Sequence, residues 1–233
     1  GPESTRLGIP GIPKLSEELM VARDLALLEH YGGRLHIANV SSERTVTIIR
    51  AAKRKGLSVT CDIAAHQLLM DDSMLADFDT NYKVNPPLRD AKTVKGLINA
   101  VKDGTIDILV SDHRPEDEEG KKLEFDLASF GMIGLQQMAP MLVQLSQRIP
   151  LETLIDAVTL KPRELLGLPI PAIGKGSEAS LTLLDPEMKW TLDDTTNKSK
   201  SRNTPYFGQE LIGKTVATFN KGQVLLDDSL APS

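Results

Sequence analysis

Apolar positions along the chain follow two alternating periods. After a Pro/Gly-rich opening, Leu19, Val21, Ala22, Leu25, Ala26 and Leu28 recur at roughly helical spacing between Ser16, which can cap a helix, and the Gly32-Gly33 pair. The run RLHIANV, residues 34 to 40, then predicts a strand. Ser41 and Ser42 offer caps to a second helix carrying Val46, Ile48, Ile49 and Ala52, and Gly56 closes it before another strand, LSVTCDI, at 57 to 63. The same succession returns with Val94, Leu97, Ile98 and Val101, a break at Gly104, and an apolar strand over 106 to 110. FGMIGLQQMAPMLVQLSQ, residues 130 to 147, predicts one long buried helix, and LETLIDAVTLKPRELLGL, residues 151 to 168, a helical pair.

Strands alternating with helices in this way predict an α/β protein with a parallel sheet and right-handed crossovers, either a barrel or an open doubly wound sheet. From residue 173 the pattern changes. IGKGSEASLTLLD and GKTVATFNKGQVLL are Gly-punctuated, Val/Leu/Thr-rich runs without intervening helices, which predict a small antiparallel β unit. The division falls into residues 1–172 and 173–233. No internal repeat or low-complexity segment interrupts either part.

Composition narrows the partners. Forty per cent apolar and 25% charged residues describe a globular chain, and a net charge of -5 argues against nucleic acid or an anionic membrane surface. The single cysteine, Cys61, excludes an intrachain disulfide and a multi-Cys zinc site, as suits a reducing cytoplasm. There is no transmembrane run and no signal peptide pattern.

The chemistry concentrates where the third strand ends. Asp112 follows an apolar β-run directly, the position at which barrel enzymes hold bases and metal ligands, and a capping role accounts for it equally well. The acidic residues Glu116 to Glu119 read as an exposed loop. His30, His36, His66 and His113 are the only histidines, and each taken alone reads as structural or merely polar. In NYKVNPPLRD, residues 81 to 90, two prolines stiffen a turn flanked by Asn85 and Arg89, which could aim an amide and a guanidinium at a small anion or simply form a rigid connection.

Several motifs coincide in order: LGIPGIP at 7–13, GGRLHIANVSS at 32–42, VNPPLRD at 84–90, DGTIDILVSDHRP at 103–115, ASFGMIGLQ at 128–136, NTPYFG at 203–208 and GKTVATFNKGQV at 213–224. Together they resemble the C-terminal part of a dihydroorotase of the amidohydrolase superfamily. The resemblance implies part of a (βα)8 metal-dependent, TIM-like barrel with a small β-sandwich element at the C-terminus. It also implies the reversible closure of carbamoyl aspartate to dihydroorotate in pyrimidine biosynthesis, on a zinc centre. Asp112 matches the family's catalytic aspartate, which binds metal and shuttles a proton. Asn85 matches a substrate-contacting asparagine, and Phe130 and Gly131 match a backbone pair that meets the substrate.

Two positions depart from the pattern. Asn39 stands where the HIxHVS motif carries a metal-binding histidine, and an amide is a poor zinc donor. Glu116 stands where DHAPH carries a substrate-binding histidine, and a carboxylate there repels a dianionic substrate. The family's His-x-His pair, its bridging acid or carbamylated lysine, and one further histidine have no counterpart in this sequence. The expectation is a dihydroorotase homologue with impaired catalysis and no metal held by this chain. The alternatives are a non-catalytic scaffold for aspartate transcarbamoylase, or an amidohydrolase with a changed substrate. The expected partners are a second copy of the chain, aspartate transcarbamoylase, or the N-terminal half that the family possesses.

Overall fold

A computed structural model describes residues 1 to 227. Its first elements are a short helix α1 (Pro2–Leu7), the long helix α2 (Lys14–Tyr31), strand β1 (Leu35–Ile37), helix α3 (Glu43–Arg54) and strand β2 (Val59–Ala64). Helix α4 (Ala91–Lys102) and strand β3 (Ile108–Val110) follow. Then come α5 (Glu118–Lys121), α6 (Met138–Ser146), α7 (Leu151–Val158), α8 (Leu160–Leu166), and the strands β4 (Leu181–Thr191), β5 (Glu210–Asn220) and β6 (Gln223–Leu226).

The three βα segments form a parallel sheet in the order β1-β2-β3. His36 faces Thr60 across the first pair, and Ile63 faces Leu109 across the second. The period-2 alternation sorts the faces. Val59, Cys61, Ile63 and Leu109 are buried in one apolar core with Ile49, Leu97, Leu145 and Leu154 from the helices, while His36, Thr60 and Asp62 share the opposite, polar face. Ser42 caps α3 by accepting from the Arg44 N–H, and Asp90 caps α4 by accepting from the Thr93 N–H.

Some expectations require correction. Helix α2 starts at Lys14 after Pro13, so Ser16 lies in its first turn and its hydroxyl donates to the Pro13 carbonyl instead of capping. The predicted helix over 130–147 survives only as α6. Residues 130 to 134 are extended beside the end of β3, with a parallel bridge between His113 and Met132 and the Arg114 N–H donating to the Met132 carbonyl at 2.9 Å. Two glycines make that approach possible: a Cβ on Gly134 would lie 2.4 Å from the Ser111 carbonyl oxygen, and Gly131 has φ 142°.

The antiparallel strands β4, β5 and β6 form their own three-stranded sheet. Residues 173 to 180 precede it without joining a strand. Pro186 sits at a register shift in β4, where the chain cannot donate to the ladder and the Asp185 carboxylate accepts from the Glu187 and Met188 N–H groups instead. At the other end, Lys221 and Gly222 both take positive φ, 49° and 76°, which suits a tight hairpin between β5 and β6. The sheet leans on α6 through Gly213, whose missing side chain admits Val143, and the Trp190 indole donates to the Gly213 carbonyl at 3.0 Å.

Candidate active site at the rim of the parallel sheet

The C-terminal ends of β1 and β3 each turn through a residue of positive φ that is not glycine: Asn39 at 54° and Asp112 at 43°. Asparagine and aspartate are the non-glycine residues that tolerate this backbone best, and contacts around each hold its turn. Asp62 supplies that hold for Asn39. One carboxylate oxygen accepts the Asn39 backbone N–H at 2.7 Å, and the other meets His36 Nε2 at 2.8 Å, while His36 Nδ1 lies 2.8 Å from Thr60 Oγ1.

The two turns face one another. Asn39 Nδ2 donates to Asp112 Oδ1 at 3.2 Å, and Arg114 Nε donates to the same oxygen at 3.1 Å. The Asp112 side chain is 8% exposed. Two buried polar atoms nearby have no partner, Asn39 Oδ1 and His66 Nε2. Burial drives the His66 imidazole down to about 4, with the Asp112 charge pulling upward and the Arg114 charge pushing further down, so the ring is neutral near pH 7. His113 turns away from this cluster, its Nδ1 accepting from the Gly134 and Leu135 N–H groups at 3.2 and 3.3 Å.

Other residues singled out in the sequence surround this centre. The Glu116 N–H donates to Asn203 Oδ1 at 3.2 Å, and Asn203 Nδ2 donates to the Arg114 carbonyl at 2.9 Å. Gly131 packs against both Arg114 and Glu116, close enough that an added Cβ would meet the Arg114 Cβ at 2.9 Å. The Gly131 N–H is already given to the Lys83 carbonyl, and its own carbonyl accepts from Lys121 Nζ at 3.0 Å. Phe130 is 40% exposed beneath Lys83 Nζ, which lies 4.7 Å from its ring centre. Asn85 is exposed on the loop between β2 and α4. Arg89, by contrast, is buried and committed to the fold. It donates to the Ile12 carbonyl and the Ser41 hydroxyl and pairs with Glu17 at 3.9 Å.

Lys121, Lys83 and Asn203 were not legible as site-forming residues. Lys121 sits in an acidic stretch that reads as a solvated face, yet its ammonium is buried, holds the Ser129 and Gly131 carbonyls, and is pushed down to about 8 by burial against the pull of Glu116. The acidic residues beside it do face solvent: Glu118 pairs with Lys122 at 2.7 Å, and Asp117 caps α5. Arg114 had a usable signal, since it replaces the alanine of DHAPH.

The donor set does not fit the zinc centre that the resemblance implies. Among the described residues no group of three or more His, Cys, Asp or Glu side chains is placed to hold a metal ion. Asp112 is met by an amide and a guanidinium, and His36 and His113 spend ring nitrogens elsewhere. Also among the described residues, no helix is long and apolar enough to cross a membrane.

Comparison with known proteins agrees with this geometry at the level of the fold. The chain is 44% identical to a dihydroorotase of Syntrophobacter fumaroxidans over 96% of its own length and 52% of the relative's. It is 42% identical to a dihydroorotase of Pelotomaculum thermopropionicum over 97% and 53% respectively. The chain therefore spans about half the length of these curated relatives. Its structure resembles the L-hydantoinase (dihydropyrimidinase) from Arthrobacter aurescens with a TM-score of 0.85 at 28% identity, covering 92% of this chain and 49% of that one. A TIM-barrel-like fold is thereby implied, of which β1, β2 and β3 are part. Residues 13–225 match the model of the amidohydrolase family, and the chain belongs to that family.

Proposed function

We propose that this chain is the C-terminal part of a dihydroorotase homologue of pyrimidine biosynthesis whose catalytic site is impaired. One observation carries the reading: the Asp112 carboxylate is occupied by Asn39 and Arg114, where the resemblance implies metal and histidine. Glu116 adds to it, because a carboxylate against Gly131 repels a substrate with two carboxylates of its own. Such a homologue keeps the fold as a scaffold. Aspartate transcarbamoylase, a second copy of this chain, and an N-terminal half-barrel are the partners this reading names, in the cytoplasm. Residues 1–172 contribute the barrel portion and 173–233 a small β-sandwich segment in the same reading, residues 228 to 233 lying outside those described.

The test is turnover by the full-length protein. Carbamoyl aspartate cyclisation by the unmodified protein is expected to be undetectable, and Asn39→His with Glu116→His is expected to recover it at most in part, because the contacts behind a site tune it as well. Robust, chelator-sensitive turnover by the unmodified protein refutes the reading.

A further inference from the structure

We propose that Arg114 is the resident counter-cation of Asp112, a guanidinium built into the chain at the place where metal-dependent relatives hold an ion; this rests on the impaired-site reading. A carboxylate that is 8% exposed has lost most of its hydration and requires compensating charge. The positive charge in contact with it is Arg114, whose Nε lies 3.1 Å from Oδ1, and the Asn39 amide adds a neutral donor to the same oxygen. Asp112, Arg114, Asn39 and the neutral His66 together carry no net charge, whereas a hydrolytic metal centre requires anionic or imidazole donors to spare.

The backbone under the pair is fixed, although the Arg114 side chain itself is about half exposed. Residues two apart in a strand share one face about 6.6 Å apart, within reach of an arginine side chain. The left-handed turn at Asp112, φ 43°, folds Arg114 back. The Arg114 backbone is then gripped on both sides. Its N–H donates to the Met132 carbonyl at 2.9 Å, and its carbonyl accepts from Asn203 Nδ2 at 2.9 Å. Gly131 leaves the space in which the Arg114 Cβ sits. Three separate segments thus fix the Arg114 backbone beside the carboxylate, and the half-exposed guanidinium reaches Asp112 from there. The facing charges are few: Glu116 on the same loop lies toward Lys121, and His66 is neutral.

A double-mutant cycle on thermal unfolding of the full-length protein tests the assignment. Asp112→Asn and Arg114→Met are each expected to lower the unfolding midpoint by roughly 2–4 °C. The double variant is expected to lose clearly less than their sum, because neither orphaned charge remains. Additive midpoints overturn the assignment. An additive cycle in a protein without turnover sinks the Arg114 assignment alone. Turnover by the unmodified protein with a non-additive cycle sinks the impaired-site reading alone.

Discussion

Asp62 holds Asn39 by its backbone: the carboxylate accepts the Asn39 N–H at 2.7 Å and so fixes the left-handed turn that ends β1. The same carboxylate is anchored by His36 at 2.8 Å, which ties the turn to the polar face of the sheet.

Replacing Asp62 by alanine should therefore strand a backbone donor and free the turn it fixes. A loss of ~1–3 kcal/mol is expected, the usual cost of an orphaned buried hydrogen-bonding group. Urea unfolding measures it. A midpoint within error of the parent would show that the turn is held by something else.

His66 gives the chain a dependence on mild acid. Its folded value, near 4, lies below the 6.5 of an unfolded imidazole, so between these limits the unfolded state binds the extra proton. Stability is complete above about pH 6.5 and is lost as pH falls toward 4, by ~3 kcal/mol in all. Unfolding measured at pH 7 and pH 4.5 should differ markedly in the parent and much less in His66→Gln. Equal pH sensitivity in the two proteins would remove His66 as the source.

The extended segment beside β3 depends on its glycines. Gly134→Ala places a Cβ 2.4 Å from the Ser111 carbonyl oxygen, and Gly131→Ala meets Arg114 while also straining φ. Each should cost roughly 1–3 kcal/mol, as overpacking does. Gly174→Ala is the control, because only the Ser177 hydroxyl lies near, at 3.6 Å. Thermal melts that fail to separate Gly134→Ala from Gly174→Ala would contradict the close approach.

Lys121 pins the loop between α5 and Gly131 from inside. Lys121→Met removes the donor to two carbonyls, and local opening of residues 118 to 131 should become easier by ~1–3 kcal/mol. Limited proteolysis followed by mass spectrometry reads this as faster cleavage within that stretch. Unchanged cleavage there would mean that Lys83, which holds the Phe125 and Asp126 carbonyls, suffices.

Much of the frame could be read from residue order. The apolar runs at 34–40, 57–63 and 106–110 contain or overlap β1, β2 and β3, and their parallel pairing follows from the helices between them. The segment 130–134 misled because Met132 and Ile133 are both buried, yet Met132 forms a bridge and neither residue lies in a helix. Periodicity counts apolar positions and is blind to a glycine that lets two backbones touch. The contact between Asn39 and Asp112 was hidden for a different reason. It spans 73 residues and exists only because both turn through positive φ, which no local pattern announces. Asn203 escaped on the same ground, lying 87 residues from Glu116.

Asn203 reaches from the segment before β5 to the rim, where its side chain bridges Arg114 and Glu116 and its carbonyl accepts from the Ile133 N–H at 3.0 Å. A residue stitched to two segments of the rim is expected to couple the late antiparallel sheet to the parallel one in a single transition. Heating should therefore produce a single calorimetric peak, and a chain cleaved between residues 193 and 203 should produce two.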